Sequence, residues 1–200
     1  MFRKTLTLAL GLTLAAATLG AADTYIFGGK DAAHTDVGFT IKHWVINKVH
    51  GNFDKFDGTL VYDDKNIEKS SVNVTIDASS IDTRNSMRDA HLRKPEFFDV
   101  EKNPNLTFKS TKVEKAADGK SISVTGDLTM RGVTKSVVLN VVITGTVEDP
   151  RGDTRMGFEA TTTVNRMDYG IAWNMKNKTG TSMLGDQVDI MIAGEAIKQK

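Results

Sequence analysis

Arg84, Asn85, Arg88, Arg93 and Lys94 place four cations and an amide within one short segment. Guanidinium forks and amide N–H groups bind carboxylates, phosphates and carbonyls, so Arg84, Asn85 and Arg88 are candidates to hold a polar or anionic headgroup. The competing reading is a solvated helix face whose charge is balanced by Asp82, Asp89 and Glu96. Asp89, with Arg88 and His91 nearby, has the makings of an acid/base group; the blander reading puts these residues on the outer face of a short helix. The histidines are His34, His43, His50 and His91, and they lack the tight spacings of the common zinc motifs, so no metal site is expected. No nucleophile stands out. Cysteine is absent, Gly-x-Ser-x-Gly does not occur, and Gly180-Thr181-Ser182-Met183-Leu184-Gly185 has the wrong spacing. Gly28-Gly29 lacks the continuation of a phosphate-binding loop, so no cofactor is expected either.

The cationic segment belongs to a longer stretch, residues 81–103, that has no two-residue alternation although its neighbours alternate cleanly. Asp82 or Thr83 is suited to cap a short helix whose Met87, His91 and Leu92 share a face, and Pro95 stops it. A connection of this length inside a compact domain is usually functional, and a cover over a cavity is expected here. Around it the chain reads as strands. Thr24 to Phe27 is short. Val37, Phe39 and Ile41 alternate with small or polar residues; residues 51–62 carry Phe56, Leu60 and Tyr62 on one parity; and Val72, Val74 and Ile76 follow. Beyond the irregular stretch come strands marked by Leu106 and Phe108, by Ile122 to Met130, by Val137 to Ile143, by Met156 to Val164, and by Val188 to Ile192.

Eight long strands joined mostly by turns form an antiparallel meander, and closing it into an up-and-down barrel removes both exposed edges. A two-sheet sandwich with a filled core is the alternative. Counting strand directions puts the connections 43–50, 79–104 and 165–184 at one end and the turns near Asp63, Asp118 and Asp149 at the other. The first end carries Trp44, Trp173, Phe97, Phe98, Tyr169, Met87, Met167, Met175 and Met183. Apolar side chains concentrated in loops must bury against something: either they plug the barrel mouth as core, or they line an entrance for an apolar ligand.

The N-terminus reads as a secretory leader over residues 1–22: Arg3 and Lys4, an apolar run from Leu6 to Leu19, then Gly20-Ala21-Ala22. The run is too short for a comfortable membrane span, and no second run of spanning length follows. One domain is expected over residues 23–200. An exported chain without cysteine takes its stability from burial and the sheet ladder, which suits a bacterial periplasm. The whole chain has 26 basic and 25 acidic residues, two of the basic ones in the leader, so it is a poor partner for nucleic acid.

Several stretches together resemble the YceI-like family of bacterial lipid-binding proteins. They are Ala33-His34-Thr35-Asp36-Val37-Gly38-Phe39, His50-Gly51-Asn52-Phe53, Ser80-Ile81-Asp82-Thr83-Arg84-Asn85, Arg88-Asp89-Ala90-His91-Leu92 and Phe97-Phe98-Asp99-Val100. Asn103 to Ser110, Gly126 to Thr134 and Arg166-Met167-Asp168-Tyr169-Gly170 complete the set, in the family's order. The resemblance implies a lipocalin-like barrel around a long apolar chain, with polyisoprenoids as characteristic ligands and other long-chain lipids or amides as further ones. It also implies export and, in some members, homodimers; it supplies no catalytic set. On that reading the top-end aromatics line an entrance. The tail is then expected against Phe39, Ile41, Phe56, Leu60, Phe108, Leu128 and Phe158, with Trp44, Phe98, Trp173 and Met183 nearer the mouth. An enzyme using His34, His91 and Asp89 on a lipid head, and an interaction or stress protein with a solidly packed barrel, are the alternatives.

Overall fold

The computed structural model describes residues 22–200, so the expected leader, apart from Ala22, lies outside the described residues. Alternating apolar and polar side chains suit a pleated strand, which points successive residues to opposite faces. β1 (Asp23–Gly28) and β2 (Asp36–His43) are two halves of one wall strand, both antiparallel to β11 (Leu184–Lys198), with a 3-10 turn over Gly29–His34 between them. β3 (Asn47–Phe53) and β4 (Phe56–Tyr62) form the second, β3 pairing with β2 and β4 with β1. The third is β5 (Ser71–Asp77) followed by the two-residue β6 (Ile81–Asp82). β7 (Asn105–Lys115), β8 (Ile122–Met130), β9 (Val133–Glu148) and β10 (Thr154–Asn165) complete the meander, each antiparallel to the one before. Because β1 also pairs with β11, through Tyr25↔Lys198 and Ile26↔Ile197, eight wall strands close into an antiparallel barrel.

The continuous strand expected over residues 51–62 is broken at Asp54 and Lys55. Their backbone N–H groups donate to the Ser80 carbonyl and to Ser80 Oγ instead of continuing the ladder. The neighbouring wall strands break at the same level, in the turns over Gly29–His34 and Ala78–Ser80, so the barrel bends there as a unit. Gly28 makes this bend possible: its φ is +87°, and a Cβ there would lie 2.2 Å from the Phe56 carbonyl oxygen. Bulges at Ser110/Lys112, Gly157/Phe158 and Leu184/Val188 supply further curvature.

Inward-facing side chains show that the barrel is hollow. Val137, Leu139, Val141 and Ile143 of β9, and Val188, Ile190 and Ile192 of β11, are apolar and packed against the core, yet only half-buried. All seven line cavities inside the barrel, so their accessible area is toward the lumen. The bend itself is packed tightly, and Phe27 there lies 5.0 Å from Phe158, ring centre to ring centre. A solidly filled barrel or a flat sandwich does not describe this interior.

Above the bend the wall is incomplete. β6 pairs with β3, and among the described residues no strand flanks its other side. The irregular stretch identified in the sequence fills this place. Its helix α1 (Ser86–Leu92) is capped by Asn85, whose side chain accepts from the Arg88 N–H, two or three residues after the expected Thr83 or Asp82. Arg93 covers the open edge of β6, Nη2 donating to the Ile81 carbonyl and Nε to that of Ser79.

Candidate functional site

The lumen contains a cavity of about 470 Å³ in the upper barrel and a smaller one of about 70 Å³ below it. The upper cavity is walled by inward residues of β2, β3, β5, β7, β8, β9, β10 and β11 and roofed by α1 and the loop after β10. Val74, Phe108, Leu139 and Ile192 line both cavities and form a waist between them. Phe39, Ile41, Phe98, Phe108, Leu128, Trp173 and Met183 face the upper cavity, and Leu60, Phe158 and again Phe108 face the lower. Two of the expected contacts are elsewhere. Phe56 is buried in the packing beneath Gly28 at the bend, and Trp44 is half-buried in the β2–β3 turn, its ring edge-on to His43 at 5.9 Å.

Glycines let aromatic rings lie flat against the wall. A Cβ on Gly126 would sit 2.4 Å from the Phe108 ring, and one on Gly51 would sit 2.5 Å from that of Phe39. Each ring occupies the space its neighbour gives up, which keeps the lumen open beside it.

The mouth lies where α1, His43 and the loop after β10 meet. Met87 shows this best, since it lines the cavity and is 80% exposed. His91 packs edge-on to Phe97 at 4.9 Å and to Trp173 at 5.2 Å, and its Nε2 lies 2.9 Å from Glu96 Oε1. The Glu96 carboxyl is held below its ordinary pKa by its own backbone N–H and then by His91. Of the headgroup candidates, Arg88 lines the cavity, its Nε and Nη2 donating to Thr83 Oγ1 and to the Thr83 carbonyl. Arg84 is exposed and Asn85 is committed to the helix cap, and neither lines the cavity.

Asp89 is not on the outer face of the helix. It is 6% exposed and accepts from the Thr83 N–H and hydroxyl, tying the helix to the end of β6. Among the described residues no three His, Asp or Glu side chains converge as a metal site would require, and His34 is exposed and away from the cavity lining.

Sequence reasoning assigned no role to the two arginines that hold the roof. Arg166 is 3% exposed; its Nε donates to the Gly185 carbonyl, its Nη1 to those of Ile171 and Trp173, and its Nη2 lies 3.5 Å from Asp186 Oδ1. Burial lowers its pKa, and Asp186 opposes the shift. Arg131, in the β8–β9 turn at φ +52°, bridges the Gly170 and Pro95 carbonyls, joining the two long top segments. Their signal was an arginine placed directly after a strongly alternating strand, where a polar turn residue would have sufficed.

The YceI-like domain family matches residues 30–196. Protein YceI of Escherichia coli O157:H7 is 40% identical over 196 residues, covering 96% of this chain and 97% of that protein. The crystal structure of the Campylobacter jejuni YceI protein is 35% identical, with a TM-score of 0.67 over 85% of this chain and 96% of that one. The barrel also superimposes on a polyisoprenoid binding domain from Saccharophagus degradans, at 14% identity and a TM-score of 0.61 over 89% and 99% of the two chains. That last likeness concerns the fold. With the family pattern spanning nearly all of the barrel and full-length relatives at this identity, the chain belongs to the YceI-like family.

Proposed function

We propose that this protein is an exported carrier or reservoir, directed to the periplasm by the leader over residues 1–22, that holds a polyisoprenoid or a related long-chain lipid or fatty amide in its barrel. The observation that carries this reading is the upper cavity of about 470 Å³, apolar along its length and open at one end beside Met87. Each methylene moved from water into such a lumen contributes about 0.8 kcal/mol, so a long tail binds tightly without specific chemistry. The polyisoprenoid binding domain from Saccharophagus degradans, which shares the fold, supports the choice of ligand class.

Polar groups on the wall favour holding over turnover. Arg166, and Asp89 behind the lining, are engaged by the fold itself, and Arg88 and the His91–Glu96 pair stand at the mouth where a headgroup would stop. Native mass spectrometry of the purified protein tests the reading. A retained adduct of lipid mass, displaced by an added isoprenoid or fatty amide and chemically unchanged after incubation, is the expected result. Repeatedly lipid-free protein that takes up neither ligand overturns it.

A further inference from the structure

Among the described residues, the three most exposed large apolar side chains are at the mouth. Ile46 is 89% exposed, Met87 80% and Val45 68%, with Met175 and Met167 about half as exposed as Ile46. These tips are adjacent: the Trp44 N–H donates to the Met183 carbonyl at 2.7 Å, and the Met183 N–H to that of Met175 at 2.7 Å. Met87 and Met183 meet at the cavity below them. Elsewhere on the outer wall, Val147 and Met191 are more exposed than Met175, and Val138 and Val142 are less so, but across the ladder each faces a polar residue or glycine: Arg155 for Val147, Thr161 and Gly38 for Met191, Thr125 for Val138 and Glu159 for Val142.

The β2–β3 turn is built for this display. Trp44 and Val45 have φ of +50° and +67° in a three-residue turn closed by the His43↔Asn47 pair, a conformation that ordinarily selects Gly or Asn. Valine is β-branched and poorly suited to it, so the turn keeps an apolar tip at the expense of backbone strain. Local rules broken in this way are expected at functional positions.

Cations flank these tips in sequence; Lys48 is paired with Asp189 at 3.3 Å, and Met167 has Asp168 beside it. Lys42 and Lys48 flank Val45 and Ile46, Arg84 and Arg88 flank Met87, and Lys176 and Lys178 follow Met175; no Asp or Glu occurs within residues 42–48, 84–88 or 173–183. Apolar side chains ringed by Lys and Arg match the boundary between acyl chains and anionic headgroups, where the tips insert and the cations stay at the phosphates. We infer that the barrel docks mouth-down on the surface of an anionic lipid bilayer, with Val45, Ile46, Met87 and Met175 as the inserting collar. This rests on the carrier reading and adds the route by which a lipid enters the lumen without crossing water.

Flotation with phosphatidylcholine vesicles, with and without phosphatidylglycerol, tests it. The protein is expected to float with the anionic vesicles and to release as salt rises, since surface charge is screened within roughly 8 Å at physiological ionic strength. Ile46→Asp with Met175→Asp is expected to lower partitioning roughly tenfold or more while leaving the melting temperature and the bound lipid unchanged. Absence of flotation, flotation indifferent to the two substitutions, or a concentration-dependent dimer that the substitutions dissociate in place of any vesicle binding would each overturn docking on a bilayer. Native mass spectrometry of the same samples reads the carrier assignment separately: a protein that retains lipid but does not float refutes the docking alone, and one that floats without ever retaining lipid refutes the carrier alone.

Discussion

Arg166 occupies a place where an unpaired charge would be most costly, and its carbonyl partners explain why the fold keeps it. Three backbone carbonyls and Asp186 surround one guanidinium, so the loop after β10 is fastened at Ile171, Trp173 and Gly185 by a single side chain. Arg166→Met is expected to cost about 3 kcal/mol, because buried carbonyls left without a donor each lose on the order of 1–3 kcal/mol. Urea denaturation measures this, and a faster loss of bound lipid should accompany it as Trp173 is released. Arg88 and Arg84 separate a second question. Only Arg88 lines the cavity, so Arg88→Ala should weaken binding of a fatty amide relative to a bare hydrocarbon of equal length, while Arg84→Ala changes neither. Competition titrations with the two ligands provide the comparison.

Elements that obey a single local rule were legible in the sequence. β8 is the clearest case, since Val124, Leu128 and Met130 are buried as their alternation requires, and the irregular stretch does cover the lumen. The breaks at the bend were not legible. Asp54 and Lys55 leave the ladder only because Ser80, remote in sequence, offers a better acceptor for both N–H groups. Asp89 was misplaced for a similar reason: its position on α1 follows helix periodicity, but Thr83 at the end of β6 draws it inward. At the opposite end of the barrel, Asp149 in the β9–β10 turn makes a prediction about acid stability. Arg155, the Asp153 N–H and Arg151 lower its pKa from 3.8 to about 2. A folded-state pKa below the unfolded one contributes stability that is fully present above the unfolded value and disappears as the pH falls through the folded one. The turn should therefore weaken between pH 3.8 and about 2, and Asp149→Asn should remove that part of the acid limb in melting curves taken across this range.

The whole molecule is a tube with a mouth beside Met87, a bend and a waist, and its length preference should be set at the waist. A tail entering beside Met87 passes Phe108 on its way to the lower cavity, together with Val74, Leu139 and Ile192, which also line both cavities. Phe108 cannot retreat outward, because its ring already fills the space above Gly126. Chains that end at the waist are thus favoured over longer ones, whose extra methylenes must fold back or stay near the mouth and forgo part of the roughly 0.8 kcal/mol that each would gain on burial. Phe108→Ala should merge the two cavities. Its cost to the empty protein is expected to be on the order of 3–5 kcal/mol, as for other buried Phe→Ala changes, and a longer tail filling the space should return part of it. Native mass spectra of wild type and variant exposed to one mixture of isoprenoids differing only in length should show the bound population shifted to longer chains in the variant. An unchanged length distribution in a variant that still binds would mean that the limit lies at the mouth, among Met87, His91 and Trp173, and not at Phe108.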